Sequence, residues 1–317
     1  MSVQNEITRI TNEVDLQADL IGQITSALKG KIAGGGGDTS AEDSIITGTI
    51  TEYTNDRVTS IGYSALAYQY TLTSVNFPLV TDVGSYAFYC DTSLLSANFP
   101  SATSIGEGAF SDCYLLTNIH SMLVTSLGSY AFYNCESLTS ANFPLVTSIG
   151  DETFGFCGAL TSVNFPLVTD IGYAAFRECR ALTSANFPSA TSIGEGAFSI
   201  CTGLTSANFP LVTSIGDVAF IDCRSLETAD FSQVINFEFE SFFNCQRLTT
   251  LILRANSVCP LADPNFAPTP FLVGSGKTGV VYVPAALVES YKTAPNWSTL
   301  FNAGTCTFVA IEGSEYE

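Results

Sequence analysis

Apolar and polar positions along this chain fall into a frame that repeats every 22 residues. In the stretch from Leu72 to Ser93, LTSVNFPLVTDVGSYAFYCDTS, apolar side chains stand at Leu72, Val75, Phe77, Val80, Val83, Ala87 and Phe88, with Thr, Ser and Asn between the first of them. The leading leucine returns at Leu94, Leu116, Leu138, Leu160, Leu182, Leu204, Leu226 and Leu248. A glycine returns in step from Gly62 to Gly216, and a phenylalanine four places after it from Phe88 to Phe242. A strict period of this size marks a repeat array. One unit cannot bury its apolar face alone, and stacked units bury a continuous core.

Each unit predicts the same local path. Val75 and Phe77, two apart, point to one face of a short strand. Pro78 ends that strand, because proline has no N–H for a ladder. Gly84 marks a turn at a backbone position that disfavours a Cβ, and Ala87 with Phe88 predicts a short helical or 3₁₀ piece. The fold class expected is an α/β repeat solenoid of about ten coils with parallel strands, roughly 45 Å long at the usual strand spacing. Phe88 to Phe242 should then form one line inside it.

The unit resembles the BspA-like leucine-rich repeat, whose hallmark is LTS-x-x-x-P followed by TSIG-x-x-AF-x-x-C. The copy LTSANFPSATSIGEGAFSICTG, Leu182 to Gly203, is close to that pattern, and the match runs from about Ile50 to Leu253. The usual unit has one more residue between the proline and TSIG, a departure that bears on curvature. The resemblance implies a curved right-handed solenoid with parallel strands on one face, and a non-enzymatic surface or secreted binding protein. It does not choose the ligand. Val281 to Leu300, VYVPAALVESYKTAPNWSTL, resembles the closing segment found after such repeats.

Three regions follow: residues 1–37, 38–253 and 254–317. Residues 1–33 carry a helical pattern, with Ile7, Ile10, Val14, Ile21, Ile24 and Leu28 at a and d positions of a heptad and Gln17 polar at one d. Such a helix either packs on its own solenoid or serves oligomerisation and docking, and the isoleucine-rich seam leans toward a homo-oligomeric trimer. Its charges argue against a signal peptide or a membrane-inserted helix. Gly34–Gly37 is a hinge. Glu238 replaces the repeated glycine where Phe237, Phe239, Phe242 and Phe243 crowd the last unit, as expected of a terminal repeat. Residues 254–317 leave the period, with a strand at Val280–Val283, a short helix from Pro284 to Lys292, and Trp297 as an anchor of a closing cap.

Charge and chemistry narrow the function. Net charge is −19, and no Lys or Arg occurs between Arg57 and Arg177. Both argue against nucleic acid and anionic membranes as partners. Cys113, Cys135, Cys157, Cys179, Cys201, Cys223 and Cys245 share one register, with Cys90 one place out of it. That pattern predicts a ladder of buried thiols, neither disulfides nor a metal site; Cys259 and Cys306 are the one candidate pair for a disulfide. The lone His120 replaces the repeated asparagine, no catalytic motif occurs, and neither cofactor nor metal is expected. The uniform Thr, Ser and Asn of the strand positions read as structural ladders. Variation gathers around the Gly-x-x-A-F turn, where Tyr86, Tyr89, Tyr114, Tyr130 and Tyr133 are the candidate binding residues; Tyr63, Tyr68, Tyr70 and Tyr173 occupy the same part of the chain. The alternative is that they are half-buried packing between turns.

The function expected is adhesion without catalysis. A phage fibre or decoration protein on the virion surface is favoured, docked to virion proteins through residues 1–33 and holding a host cell-surface protein or glycan with the repeats. A bacterial cell-surface adhesin outside the cell, or a structural spacer, is the alternative. The opening NEITRI and the absence of a leader before it carry the first reading.

Overall fold

In the computed structural model the described residues are 51–238, 240–261 and 278–317. The predicted helix with Ile7, Ile10, Val14, Ile21, Ile24 and Leu28, the hinge at Gly34–Gly37, Phe239 and most of the proline-rich stretch lie outside them.

The repeats form a parallel-strand β-solenoid of nine coils, followed by a tenth first strand at Thr250–Leu253. Each coil has a three- or four-residue strand, such as Ser74–Asn76, and a two-residue strand, such as Asp82–Val83. Neighbouring coils pair in strict register, Ser74 with Ser96 and Val83 with Ile105. The shorter strand was not expected from the sequence, although Val83, which it carries, was expected inside.

The core obeys the period. Rings from Phe88 to Phe242 form one line, each nearly parallel to the next; Phe110 and Phe132 lie 5.4 Å apart at 1°, Phe176 and Phe198 5.2 Å apart at 9°. A second line runs through Phe77, Phe99, Phe143, Phe165, Phe187, Phe209 and Phe231, all buried. Ser121 interrupts it. The Ser121 hydroxyl donates to the Phe99 carbonyl at 3.2 Å, and Phe143 beyond the gap tilts to 21° against Phe165. The first-strand sheet breaks after Asn118–His120, in the coil that lacks both the phenylalanine and the proline of its neighbours, and again after Ser162–Asn164.

The expected helical piece at Ala87–Phe88 is not a helix. A helix would return every N–H to its own segment. Here the N–H groups of Tyr86, Phe88 and Cys90 reach the carbonyls of Glu107, Ala109 and Ser111 on the next coil, at 2.7, 2.8 and 2.9 Å. Only the alternate N–H groups, those of Ala87, Tyr89 and Asp91, turn back on Gly84, Tyr86 and Phe88. The alternation places two residues per coil in the left-handed region: Tyr86 at φ 57° and Cys90 at φ 59°, then Gly108 and Asp112, Tyr130 and Asn134, and so on. Even Ile200 and Val218 adopt it, although β-branched residues avoid it. Ladder bonds on both sides hold them there. The repeated glycine serves another need. A Cβ on Gly84 would lie 2.6 Å from the Ile61 carbonyl oxygen, so its absence lets adjacent coils touch.

Polar ladders seal the outside of the strands. Thr73, Thr139 and Thr205 hydroxyls each donate to the carbonyl of the threonine one coil earlier. Asn98, Asn164 and Asn208 amides donate to the asparagine oxygens one coil earlier at 2.7, 2.8 and 2.9 Å.

The thiols are ordered more closely than small apolar groups need be. Each thiol from Cys113 to Cys245 donates to a phenylalanine carbonyl 25 residues earlier at 3.1 Å, Cys113 to Phe88 and Cys245 to Phe220. All ten cysteines are free, Cys259 and Cys306 among them, so the structure holds no bridge between that candidate pair. Past the coils, Gly279–Val283 pairs in parallel with Thr250–Leu253, and Cys306–Ala310 pairs with Gly279–Val283. A 3₁₀ turn at Ala285–Leu287 and helices at Val288–Thr293 and Trp297–Asn302 fall between those two strands. The buried Trp297 indole donates to the Cys259 carbonyl at 2.8 Å.

Candidate binding face on the turn ladder

The stacked turns bring most of the tyrosines into one strip. Tyr86 stands in the first left-handed position of its coil, where its ring lies over the next coil. A Cβ on Gly108 would be 2.5 Å from that ring, so the glycine makes the seat. The Tyr86 hydroxyl donates to Glu107 Oε1 at 2.6 Å, and that bond pushes the phenol up to about 12. Tyr89 meets Tyr86 edge-on at 5.9 Å. Tyr63 joins Tyr86 at 5.7 Å and Tyr68 joins Tyr89 at 5.4 Å, both edge-on. Five tyrosines, counting Tyr70 beside Tyr68, thus form one aromatic group over two adjacent coils.

Tyr130 and Tyr133 make a second group, 5.8 Å apart. Tyr133 leans over Gly155, on which a Cβ would be 3.2 Å away, and meets Phe156 edge-on at 5.4 Å. Arg177 lies over the Phe156 ring, 5.3 Å from its centre. Tyr114 joins neither group; it stands at the strip's side, where burial and the Asp112 carboxylate raise its phenol. So the structure brings together Tyr86 with Tyr89 and Tyr130 with Tyr133, and leaves Tyr114 apart.

Edge-on packing and glycine seats fix these rings, yet several keep open surface: Tyr63 is 67% exposed and Tyr68 53%. Ring faces held in place and still wet cost little to order when a ligand arrives. The electrostatic setting is acidic. Glu107, Asp112, Glu136, Asp151 and Glu152 lie along the strip, and burial, opposed by Arg177, raises the Glu152 carboxyl.

Sequence reasoning missed the bonds across coils. Tyr63 reaches Tyr86, 23 residues on, and the Tyr86 hydroxyl reaches Glu107, 21 residues on. Contacts one residue off the period escape a search for residues in register; a search at one more and one less would have found them. A second missed feature is a line of exposed leucines at one repeat position, Leu79, Leu123, Leu145, Leu167 and Leu211.

His120 is an exposed strand residue whose partner across the ladder is Asn98. No group of His, Cys, Asp and Glu among the described residues is placed to hold a metal ion, and no helix among them is long and apolar enough to cross a membrane.

No curated protein is matched by the chain. Among solved structures, a leucine-rich repeat protein from Bacteroides ovatus superposes with a TM-score of 0.52 at 24% identity, over 82% of this chain and 68% of that one. A leucine-rich repeat protein from T. pallidum matches with a TM-score of 0.46 at 30% identity, over 48% of this chain and 77% of that one. A leucine-rich cell surface protein from Faecalibacterium prausnitzii matches with a TM-score of 0.38 at 23% identity, over 85% of this chain and 89% of that one. The BspA-type leucine-rich repeat region matches residues 49–146 and 125–249 in 6 copies, most of the coiled part, so the chain belongs to the BspA-type leucine-rich repeat family.

Proposed function

We propose that this protein is a surface-displayed binding protein without catalytic activity, and that the tyrosine strip is its contact face for a host cell-surface protein or glycan. The observation that carries the reading is the pair of aromatic groups, Tyr63–Tyr89 and Tyr130–Phe156, seated on glycines and left open to solvent. A purely structural spacer has no need of exposed rings clustered in one part of an otherwise uniform ladder. Family membership supports display outside the cell. Residues 254–317 act as the closing end of the scaffold, with Tyr291, Trp297 and Phe308 as its anchor.

The test is binding of the full chain to a glycan array and to immobilised extracellular-matrix proteins. Tyr86→Ala combined with Tyr133→Ala should weaken retention by about tenfold or more, as loss of buried aromatic contacts does, with an unchanged unfolding midpoint. Equal binding by the variant would overturn the strip as the contact face.

Display on a phage particle is the narrower form of this proposal. It rests on the heptad pattern of residues 1–33 and the hinge at Gly34–Gly37. If that helix assembles or docks, several repeat domains act together and raise avidity by about 10²–10⁴. Deleting residues 1–37 should leave a folded monomer in sedimentation. A truncated chain that assembles like the full one would remove the anchor role, and with it the trimer.

A further inference from the structure

The strip carries its own cation at one end and none at the other. At the C-terminal end, Arg177 lies over Phe156 with Tyr133 edge-on to that ring and Glu152 close by. The repeat fixes what stands in these places four coils earlier: Tyr68 occupies the position of Phe156, and Tyr89 that of Arg177. There the rings remain and the cation is missing. Glu107 and Asp112 supply the carboxylates. Glu107 accepts the Tyr86 hydroxyl, Asp112 accepts the Asn134 amide at 2.8 Å, and neither has an ion pair among the described residues. The chain has no Lys or Arg from residue 58 to residue 176 to fill the place.

We infer that the N-terminal end of the strip, Tyr63, Tyr68, Tyr86, Tyr89, Glu107 and Asp112, docks a basic, Lys- or Arg-bearing segment of a partner protein. The inference rests on the strip being the contact face and names the chemistry of what it holds. Ring faces attract a guanidinium or ammonium group, and flanking carboxylates accept its N–H donors. The whole chain, at −19, favours the approach of a basic partner. From the coil of Tyr68 to that of Asp112 is two rungs, roughly 10 Å, the length of about three residues of extended chain. Anionic glycans are disfavoured by the same carboxylates.

The experiment is calorimetric titration of the full chain with a nona-arginine peptide, spermidine and chitotetraose, at two salt concentrations. The peptide should bind, more weakly in higher salt. Tyr86→Leu with Tyr89→Leu, and separately Glu107→Gln with Asp112→Asn, should each weaken it by about tenfold, the range of a partly desolvated cation on an aromatic ring. Tyr89→Phe keeps the ring and should bind as the parent, which separates loss of the ring from loss of folding. Glu195→Gln with Asp217→Asn removes the same charge from the register of Glu107, four and five coils beyond it, and should change binding by less than about twofold. An equal loss in that control means attraction to net charge alone and overturns the inference. Spermidine bound as tightly as the peptide would make the ligand a small polycation and overturn the commitment to a protein segment. Chitotetraose bound through the rings, with the peptide silent, would overturn the basic ligand while leaving the strip as the contact face. Silence of all three probes overturns the inference as well, and retention lost through the strip on the matrix proteins would still uphold the face.

Discussion

Raising the pH above 9 should unfold this protein in a transition far steeper than its tyrosines alone would give. Burial pushes the Cys157 and Cys201 thiols up to about 12, and raises those of Cys113, Cys135, Cys179, Cys223 and Cys245 in the same sense. In the unfolded chain a thiol ionises near 8.5. The folded chain therefore keeps protons that the unfolded chain gives up. The stability that each neutral thiol represents is complete below the unfolded value and is lost as pH rises toward the folded one. Each ladder thiol costs on the order of 1 kcal/mol per pH unit in that window. Seven of them acting together outweigh a stability of about 5–15 kcal/mol within one or two pH units. Loss of the far-UV β signal between pH 9 and 11, reversible in reductant, is the expected result. Cys157→Ala with Cys201→Ala should make the slope of stability against pH shallower by about two protons. A chain still folded at pH 11.5, or an unchanged slope in the variant, would refute the thiol ladder as the cause. Native protein should also react slowly with thiol reagents at pH 7, because thiolate is the reactive form.

The ladder shows how far the period itself can be read. Residues that face the core must repeat, because each stacks on its own copy one coil away; Phe88 to Phe242 and Cys113 to Cys245 were legible for that reason. The strand threonines and asparagines were legible as ladders, since a polar residue in register meets the same kind of partner one coil away, a threonine carbonyl or an asparagine oxygen. The left-handed positions were not. Their occupants run from Tyr86 and Glu152 to Ile200 and Val218, and no residue type announces them; the conformation is imposed by alternate N–H groups pairing across coils, a long-range bond that overrides local preference. The helix expected at Ala87–Phe88 failed for the same reason. The tyrosine strip was half legible. Its members could be named from composition, whereas its contacts, at 21 and 23 residues, follow from the slant of side chains that leave left-handed backbone.

Asp91 breaks the cysteine register in the core, and replacing it by cysteine should stabilise the protein. Residues 113, 135 and onward in this register are cysteines, and Asp91 takes the same place one coil earlier. Cys90, next to it, is displaced into the left-handed position. The Asp91 side chain is fully buried; Oδ1 accepts the Gln69 N–H at 2.6 Å and Oδ2 has no partner. Burial raises its carboxyl well above the usual range. A raised carboxyl is neutral when folded, so its contribution to stability is complete below the unfolded value near 3.9 and is lost as pH rises toward the folded one. At neutral pH the unfolded chain ionises at no cost and the folded chain cannot. Asp91→Cys removes both the ionisation and the orphan oxygen, and offers a thiol to the carbonyl of Leu66, 25 residues earlier, as its ladder mates do. The gain should be about 1–3 kcal/mol at pH 8 and smaller at pH 4. In a repeat array that gain stays local, so amide exchange should slow most in the coils that Asp91 joins. Tyr68 and Cys90 report it directly, since their N–H groups bond to the carbonyls of Tyr89 and Ser111 beside the strip. Equal gains at pH 4 and pH 8 would show that the carboxyl's charge is not the cause. Slower exchange at Tyr68 together with tighter binding of the basic probe would mean that this carboxyl loosens the very coils that hold the rings.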